Sequence, residues 1–203
     1  RVLLPGDPGR ARRIADYFDT VEKKAENREY VVYTGKKDNK ALSVCSTGIG
    51  GPSAAIAIEE LANLGADTFI RVGSAGGRKE NIPIGSTIII NSAVRDNTSL
   101  EYLPSIYPAV ADFEVTTALK EAAARLNKKT YVGASFTRDA FYQQNEKLNE
   151  TFKNTQIAAA EMECATLFIV GAKRNLKVGA VVGTDSNIIK DEEKSLEEKE
   201  ELY

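Results

Sequence analysis

The run Val178-Gly179-Ala180-Val181-Val182-Gly183 decides the fold. It is continuous, apolar and rich in valine, the pattern of a strand covered on both faces. Directly before it, Ala159–Asn175 is apolar nearly all round as far as Lys173, which predicts a central, buried helix. Working outward, strand-like runs recur at Val2–Leu4, Tyr30–Tyr33, Ala41–Ser46, Thr68–Gly73, Ser86–Ile90 and Tyr131–Phe136. Helical patterns at Gly9–Phe18, Pro52–Leu64 and Val115–Leu126 alternate with them. This alternation predicts the α/β class, with a mixed, largely parallel central sheet surrounded by helices. The tail Asp191–Tyr203, mostly Glu and Lys, reads as a solvated helix. No repeat or linker interrupts residues 1–203, so a single domain is expected. Both ends look incomplete, because Arg1 opens directly in an apolar strand and the chain stops inside a charged helical pattern.

Composition narrows the chemistry. The 203 residues are 42% hydrophobic, enough for one full core. With 27 basic and 29 acidic residues the net charge is −2, which argues against a nucleic-acid partner. The two cysteines, Cys45 and Cys164, form no CxxC pair and suggest neither a metal site nor a disulfide framework. A reducing, cytoplasmic setting is the expectation. No segment approaches the roughly 20 apolar residues of a membrane span, so no membrane partner is expected. Histidine is absent, which excludes Ser-His-Asp and Cys-His nucleophilic machinery and removes the commonest zinc ligand. Carboxylates, arginines, hydroxyls and backbone dipoles must do the work.

Ligands of such sheets sit beyond the carboxyl ends of the strands. The residues there are Gly6-Asp7-Pro8-Gly9-Arg10, Thr47-Gly48-Ile49-Gly50-Gly51, Ser74-Ala75-Gly76-Gly77 and Thr184-Asp185-Ser186-Asn187. The first can be a plain turn with Asp7 capping the next helix, or an anion site in which Gly6 admits the ligand and Arg10 forks onto it. Thr47-Gly48-Ile49-Gly50-Gly51-Pro52-Ser53 lacks the lysine of a P-loop and the spacing of a dinucleotide fingerprint, so a tight strand-to-helix turn competes with a phosphate cradle. Arg71, inside an apolar strand, has three readings: a buried ion pair, an edge residue facing solvent, or an anion ligand.

Two carboxylates interrupt the apolar run Ala158-Ala159-Ala160-Glu161-Met162-Glu163-Cys164. Burying glutamate requires partners, and a sugar diol can supply them. On one helix Glu161 and Glu163 would lie about 200° apart. Glu163 with Met162 is therefore the favoured ribose clamp, and Glu161 is left as a structural acid. Asp185, after the last apolar strand, can be a proton donor to a leaving base or a helix N-cap. Phe141-Tyr142 reads as core aromatics or as a base-stacking wall.

Taken together, these residues resemble the nucleoside phosphorylase superfamily of hexameric bacterial and archaeal type, which includes purine nucleoside, uridine and methylthioadenosine phosphorylases. The resemblance runs from Arg1 to about Asn187. It is carried by Gly6-Asp7-Pro8-Gly9-Arg10, Asn27-Arg28-Glu29-Tyr30, the Ser46–Ser53 loop, Arg71-Val72-Gly73-Ser74-Ala75-Gly76, Pro108–Phe113 and Glu161-Met162-Glu163. It implies phosphate held by Gly6, Arg10, Arg71 and Ser74, with Arg28 reaching into a neighbour's site. It assigns the ribose to Met162 and Glu163, with Glu161 beside them, and the base to Phe141, Gly76 and Asp185. It also implies a homo-oligomer, dimers assembled into a hexamer, with no organic cofactor and no metal in the catalytic machinery. Inorganic phosphate would be the co-substrate, and a monovalent cation could sit at a dimer interface near Glu29, Ile49 and Ser53.

The pattern divides over the base. Uridine phosphorylases use a Gln and an Arg a few residues after the Phe-Tyr pair, where this chain has Gln143-Gln144-Asn145-Glu146-Lys147. Purine enzymes place an acid after the late strand, which Asp185 matches. The expected activity is that of a pentosyltransferase: reversible phosphorolysis of a nucleoside, purine favoured, to free base and ribose 1-phosphate. A uridine phosphorylase is the alternative. A nucleosidase of the same fold and a non-catalytic nucleoside-binding protein are more distant ones.

Overall fold

The computed structural model describes residues 1–143, 145–190 and 192–200. In chain order the elements are β1 Val2–Leu4, α1 Pro8–Ala15, β2 Thr20–Asn27, β3 Tyr30–Lys37, β4 Lys40–Cys45 and α2 Gly51–Asn63. There follow β5 Thr68–Gly77, β6 Thr87–Asp96, α3 Ser99–Tyr102, β7 Ala109–Val110, α4 Phe113–Arg125 and β8 Thr130–Arg138. The chain continues through α5 Glu146–Lys153, β9 Ile157–Glu161, α6 Cys164–Arg174, β10 Lys177–Asn187, β11 Glu192–Glu193 and α7 Leu196–Glu200. The expected α/β class and mixed sheet are present. The two longest ladders, β5 with β10 and β6 with β8, are parallel, and antiparallel pairings join and flank them.

The sheet curls on itself. β10 pairs with both β5 and β6, β6 with β8, β8 with β9, and β9 with β5, so these strands close a ring. From β5 the sheet extends outward through β1, β4, β3 and β2. The edge strand β2 is exposed at every residue. Its sequence, Thr-Val-Glu-Lys-Lys-Ala-Glu-Asn, has no apolar face, so hydrophobic patterning gives no sign of it.

β5 fixes where a ligand can enter. β10 runs along one of its edges from Thr68 to Gly77. The other edge is shared: β1 pairs from Phe69 to Arg71, and β9 pairs at Gly76 and Gly77. Between those partners, Val72–Ala75 faces an opening flanked by the loop after β1 and the loop after β9. Adjacent strands leaving in opposite directions create the kind of crevice where α/β sheets bind ligands.

The core lies between this ring and α2 and α6, with Phe168, Ile169, Val170 and Leu167 of α6 all at most 1% exposed. The buried central helix is therefore present, but it starts at Cys164 and not at Ala159. Ile157–Glu161 is a strand: five residues, mostly buried on both faces, that fill the space between β8 and β5. A run of alanines carries no periodicity of its own, and sheet pairing overrides its helix propensity. Asn175, with φ 59°, ends α6 in the left-handed conformation. Asp7 and Asp112 cap α1 and α4 as N-cap acceptors. The expected solvated helix at the C-terminus is confined to Leu196–Glu200, with β11 before it; Asp191 and residues 201–203 lie outside the described residues. No helix among the described residues is long and apolar enough to cross a membrane.

Phe168→Ala removes a ring from the best-packed layer of α6 and is expected to lower unfolding free energy by about 3–5 kcal/mol. Urea denaturation of the variant beside wild type measures it.

Candidate active site

The side chain of Arg71 rises from β5 at the opening. It is buried, with Nε 3.3 Å from Glu161 Oε2 and a terminal nitrogen 2.5 Å from Glu163 Oε2. Of the three readings of this arginine, the buried ion pair is the arrangement found. Gly73 makes it possible: a Cβ there would sit 2.7 Å from Arg71 Cζ, so only glycine lets the guanidinium lie back along its own strand.

The two acids do different jobs. Glu161 ends β9, and its Oε1 accepts from Ser135 at 3.1 Å and Thr137 at 2.5 Å. Its Oε2 accepts from the backbone N–H groups of Glu163 and Cys164, both at 2.8 Å, at the start of α6. Glu161 is thus saturated by structural donors. Glu163 Oε1 accepts from the Gly50 N–H at 2.6 Å, at the start of α2. Because Glu161 belongs to a strand and Glu163 to the turn before a helix, they are not held on opposite sides of one helix. Both reach Arg71. The helical-wheel separation of the two acids is overturned, while the assignment of Glu161 as structural agrees with its bonds.

Electrostatics follow from burial. Desolvation penalises the Arg71 cation, but the carboxylates of Glu163 and Glu161 outweigh it and hold the pKa above its ordinary value. Burial raises the Glu163 carboxyl, opposed by Arg71. Burial lifts the Cys45 thiol to about 11 and raises Cys164 well above the ordinary thiol value, so neither supplies a thiolate nucleophile.

The loop after β1 approaches the same opening. An Arg10 terminal nitrogen lies 3.4 Å from the Val72 carbonyl, next in chain to Arg71. Gly48 N–H donates to the Gly6 carbonyl at 2.9 Å, locking the β1 and β4 loops together. Gly48 has φ 70°, and a Cβ there would come within 2.6 Å of the Glu29 side chain. Ser53 donates to Glu29 Oε1 at 2.8 Å, while Ile49 beside them is 79% exposed. Met162 is half-buried, its methyl 4.0 Å from where a Gly50 Cβ would stand.

Other expected residues lie elsewhere. Ser74 is half-exposed, and the alternation along β5 places it and Gly76 on the face opposite Arg71. Arg28 is exposed at the β2–β3 turn with φ 53° and does not join the Arg71 cluster within its own chain. Asp185 is no helix cap. It is the bulged residue of β10, between Thr184 opposite Ala75 and Ser186 opposite Gly76, and its Oδ1 accepts from Ser186. Phe141 and Tyr142 are not core residues: they are 63% and 91% exposed, in edge-to-face contact at 5.0 Å. They adjoin a cleft of about 530 Å³ between Asp96, Phe136 and Arg138 of the strands and Asp139, Gln143 and Asn145 of the following loop. Arg138 fixes that loop by donating to the carbonyls of Gln143 and Phe141. Asn145 is committed to capping α5 through Leu148 N–H, and Gln144 lies outside the described residues.

Three contributors escaped the sequence reading: Gly50 N–H, the Ser135/Thr137 hydroxyls and Asp139. Asp139 accepts from Gly51 N–H at 3.3 Å and from the Thr98 N–H and hydroxyl, each at 2.8 Å, tying the α2 terminus to the loop after β8. Thr137 and Asp139 follow the strand-like run Tyr131–Phe136, so the rule that site residues trail the strands would have found them.

An α/β enzyme with guanidinium groups and a buried carboxylate converging on a strand-end opening is the class defined by this geometry. Comparison with known proteins gives the family. The phosphorylase superfamily model matches residues 1–203. The guanosine phosphorylase of Halorubrum lacusprofundi is 37% identical over 201 residues, covering 98% of this chain and 83% of that protein. The uridine phosphorylase of Treponema pallidum is 45% identical over 194 residues, covering 89% and 75%. That of Thermococcus kodakarensis is 44% identical over 213 residues, covering 98% and 77%. The chain belongs to the phosphorylase superfamily and is a pentosyltransferase of the nucleoside phosphorylase type.

Arg71→Met leaves two buried acids without their cation and is expected to cost about 3–5 kcal/mol of stability at pH 8. With the guanidinium gone, the folded-state pKa of Glu163, raised by burial, rises further above the unfolded value. The folded state then holds the extra proton, so the loss grows as pH rises from the carboxylate range and shrinks at pH 5. Urea denaturation at both pH values checks the sign.

Proposed function

We propose that this chain catalyses reversible phosphorolysis of nucleosides, with purine nucleosides the favoured substrates and inorganic phosphate the co-substrate. The convergence of Arg10 and Arg71 beside Glu163 carries the reading. Phosphate would occupy the opening in front of Val72–Ala75, between the Gly6–Arg10 loop and Arg71. Glu163 would take the ribose hydroxyls, with Met162 against the sugar. A phosphate oxygen then attacks C1′ as the bond to the base breaks. Holding the two reactants together removes much of the entropic barrier, and the anion beneath the ring stabilises the developing positive charge. Arg71 is shared between sugar clamp and anion, which couples the binding of the two substrates. No covalent enzyme intermediate is needed.

Asp185 supports the purine preference. At the bulge of β10 it stands across one strand spacing from Ala75 and Gly76, where it can protonate a purine ring nitrogen as the base departs. The 45% and 44% identity to uridine phosphorylases favours a second reading, uridine as substrate. In that case Asp185 has no proton to deliver. Arg28, exposed beside Glu29 and the exposed Ile49 and Ile56, suits a neighbouring subunit's phosphate site, and a dimer-based oligomer is part of this proposal.

Inosine, guanosine, adenosine, methylthioadenosine and uridine, each with and without phosphate, form the decisive assay. Base release should require phosphate. Glu163→Gln should reduce turnover of every substrate at least 100-fold. Asp185→Asn should slow purine nucleosides by roughly 100-fold or more and leave uridine nearly unchanged. Release of base in phosphate-free buffer would point to a nucleosidase.

A further inference from the structure

The cleft beside Phe141 carries a cation and an acid that the chemistry above does not use. Arg138 ends β8, Asp96 ends β6, and the two are direct partners in the parallel ladder of those strands. Residues paired in this way present their side chains to one face of the sheet. Both line the cleft. They do not neutralise each other, because no ion pair joins them, and among the described residues the Asp96 carboxylate has no partner at all. Arg138 is half-buried and donates one bond each to the carbonyls of Gln143 and Phe141. A guanidinium has five N–H groups, so those two bonds anchor it and leave donors to spare. The other acids of the lining are placed differently. Asp139 is spent on Gly51 and Thr98, and Glu146 stands on α5, away from the β6–β8 edge.

The cleft adjoins the sugar clamp. Gly50 N–H donates to Glu163, and the next amide, Gly51 N–H, donates to Asp139 of the cleft lining. One peptide unit therefore separates clamp from cleft. Strand register agrees. Gly76 of β5 pairs with Ala160 of β9, and Ala160 pairs with Phe136 of β8. Gly76, Phe136 and, two residues further on, Arg138 thus share one face, and Phe136 and Arg138 both line the cleft. A nucleoside with its sugar at Glu163 puts its base into this space.

We infer that Arg138 and Asp96 together read the base through its lactam edge: Arg138 donates to the ring carbonyl, and Asp96 accepts from the adjacent ring N–H. The inference deepens the phosphorolysis reading and rests on it. Uracil, hypoxanthine and guanine carry that order of acceptor and donor. Cytosine and adenine carry the reverse, an amino group beside a bare ring nitrogen. They set donor against guanidinium and lone pair against carboxylate. The reaction strengthens the Arg138 contact. As a phosphate oxygen bonds to C1′, the electron pair of the C1′–N bond passes to the base, and part of that charge settles on the carbonyl oxygen facing the guanidinium.

The test compares kcat/KM, all with phosphate, for uridine, 3-methyluridine and cytidine and for inosine, 1-methylinosine and adenosine. Each is measured in wild type, Asp96→Ala and Arg138→Gln. Methylation removes the ring N–H and should cost wild type roughly 10- to 100-fold against the parent nucleoside. In Asp96→Ala that penalty should shrink to a few-fold. In Arg138→Gln the oxo substrates should fall roughly 10- to 100-fold and the amino substrates change little, so the oxo-to-amino ratio collapses. Arg138 also braces its loop, so Asp96→Ala carries the test if Arg138→Gln does not fold. Wild type that accepts the methylated substrates as well as their parents overturns the inference. So does a full methyl penalty in an Asp96→Ala protein that melts with wild type. Wild type that releases no base with phosphate overturns the phosphorolysis reading instead. Calorimetric binding of uracil and hypoxanthine against their 3-methyl and 1-methyl forms then decides the pair separately: a methyl penalty lost in Asp96→Ala supports it, and one that is absent from wild type or kept in the variant overturns it.

Discussion

The ion triad of Arg71, Glu161 and Glu163 is the interaction on which the rest of the molecule depends. It joins the middle of β5, the end of β9, the start of α6 and, through Gly50 N–H, the start of α2. Buried charges are tolerated only when partners meet them, and here the helix-terminal amides and the Ser135 and Thr137 hydroxyls meet the acids while the acids meet the arginine. One acid is consumed by that scaffolding. The other is held by the Gly50 amide and the arginine, with fewer side-chain donors around it. The two carboxylates thus differ by their donors, not by their residue type.

This division explains what the sequence revealed and what it hid. The continuous valine run at Val178–Gly183, the helix after Cys164 and the strand holding Arg71 were legible because burial on both sides writes itself as uninterrupted apolar sequence. β2 was not, because an exposed edge strand paired only through its backbone needs no apolar face. β9 was read as helix because alanines fit either state, and only the space between β8 and β5 selects the strand. That one misreading also put Glu161 and Glu163 on opposite sides of a helix, although both acids meet one cation.

The site was legible where it depends on residue type and obscure where it depends on register. Arg10 and Asp185 announced themselves as charges after apolar strands, Arg71 as a charge inside one, and Glu163 as an acid in an apolar run. Nothing local reveals that β1 and β9 divide one edge of β5 between them, or that Asp185 bulges from a strand that continues to Asn187. Phe141 and Tyr142, ambiguous as aromatics, are removed from the core by their exposure. Backbone donors such as Gly50 N–H carry no side chain to betray them.

The shared edge of β5 has an evolutionary corollary. The opening along Val72–Ala75 is framed by where two strands stop, a property of main-chain pairing that side-chain drift scarcely disturbs. The wall of the cleft comes mostly from Asp139, Ala140, Gln143, Asn145 and Glu146, a part tied to the rest through Asp139, Arg138 and Asn149. In the phosphorolysis reading, replacing that segment would retune which heterocycle is accepted and leave the opening beside Arg71 as it was. A lineage built in this way can diversify its diet without reinventing its chemistry.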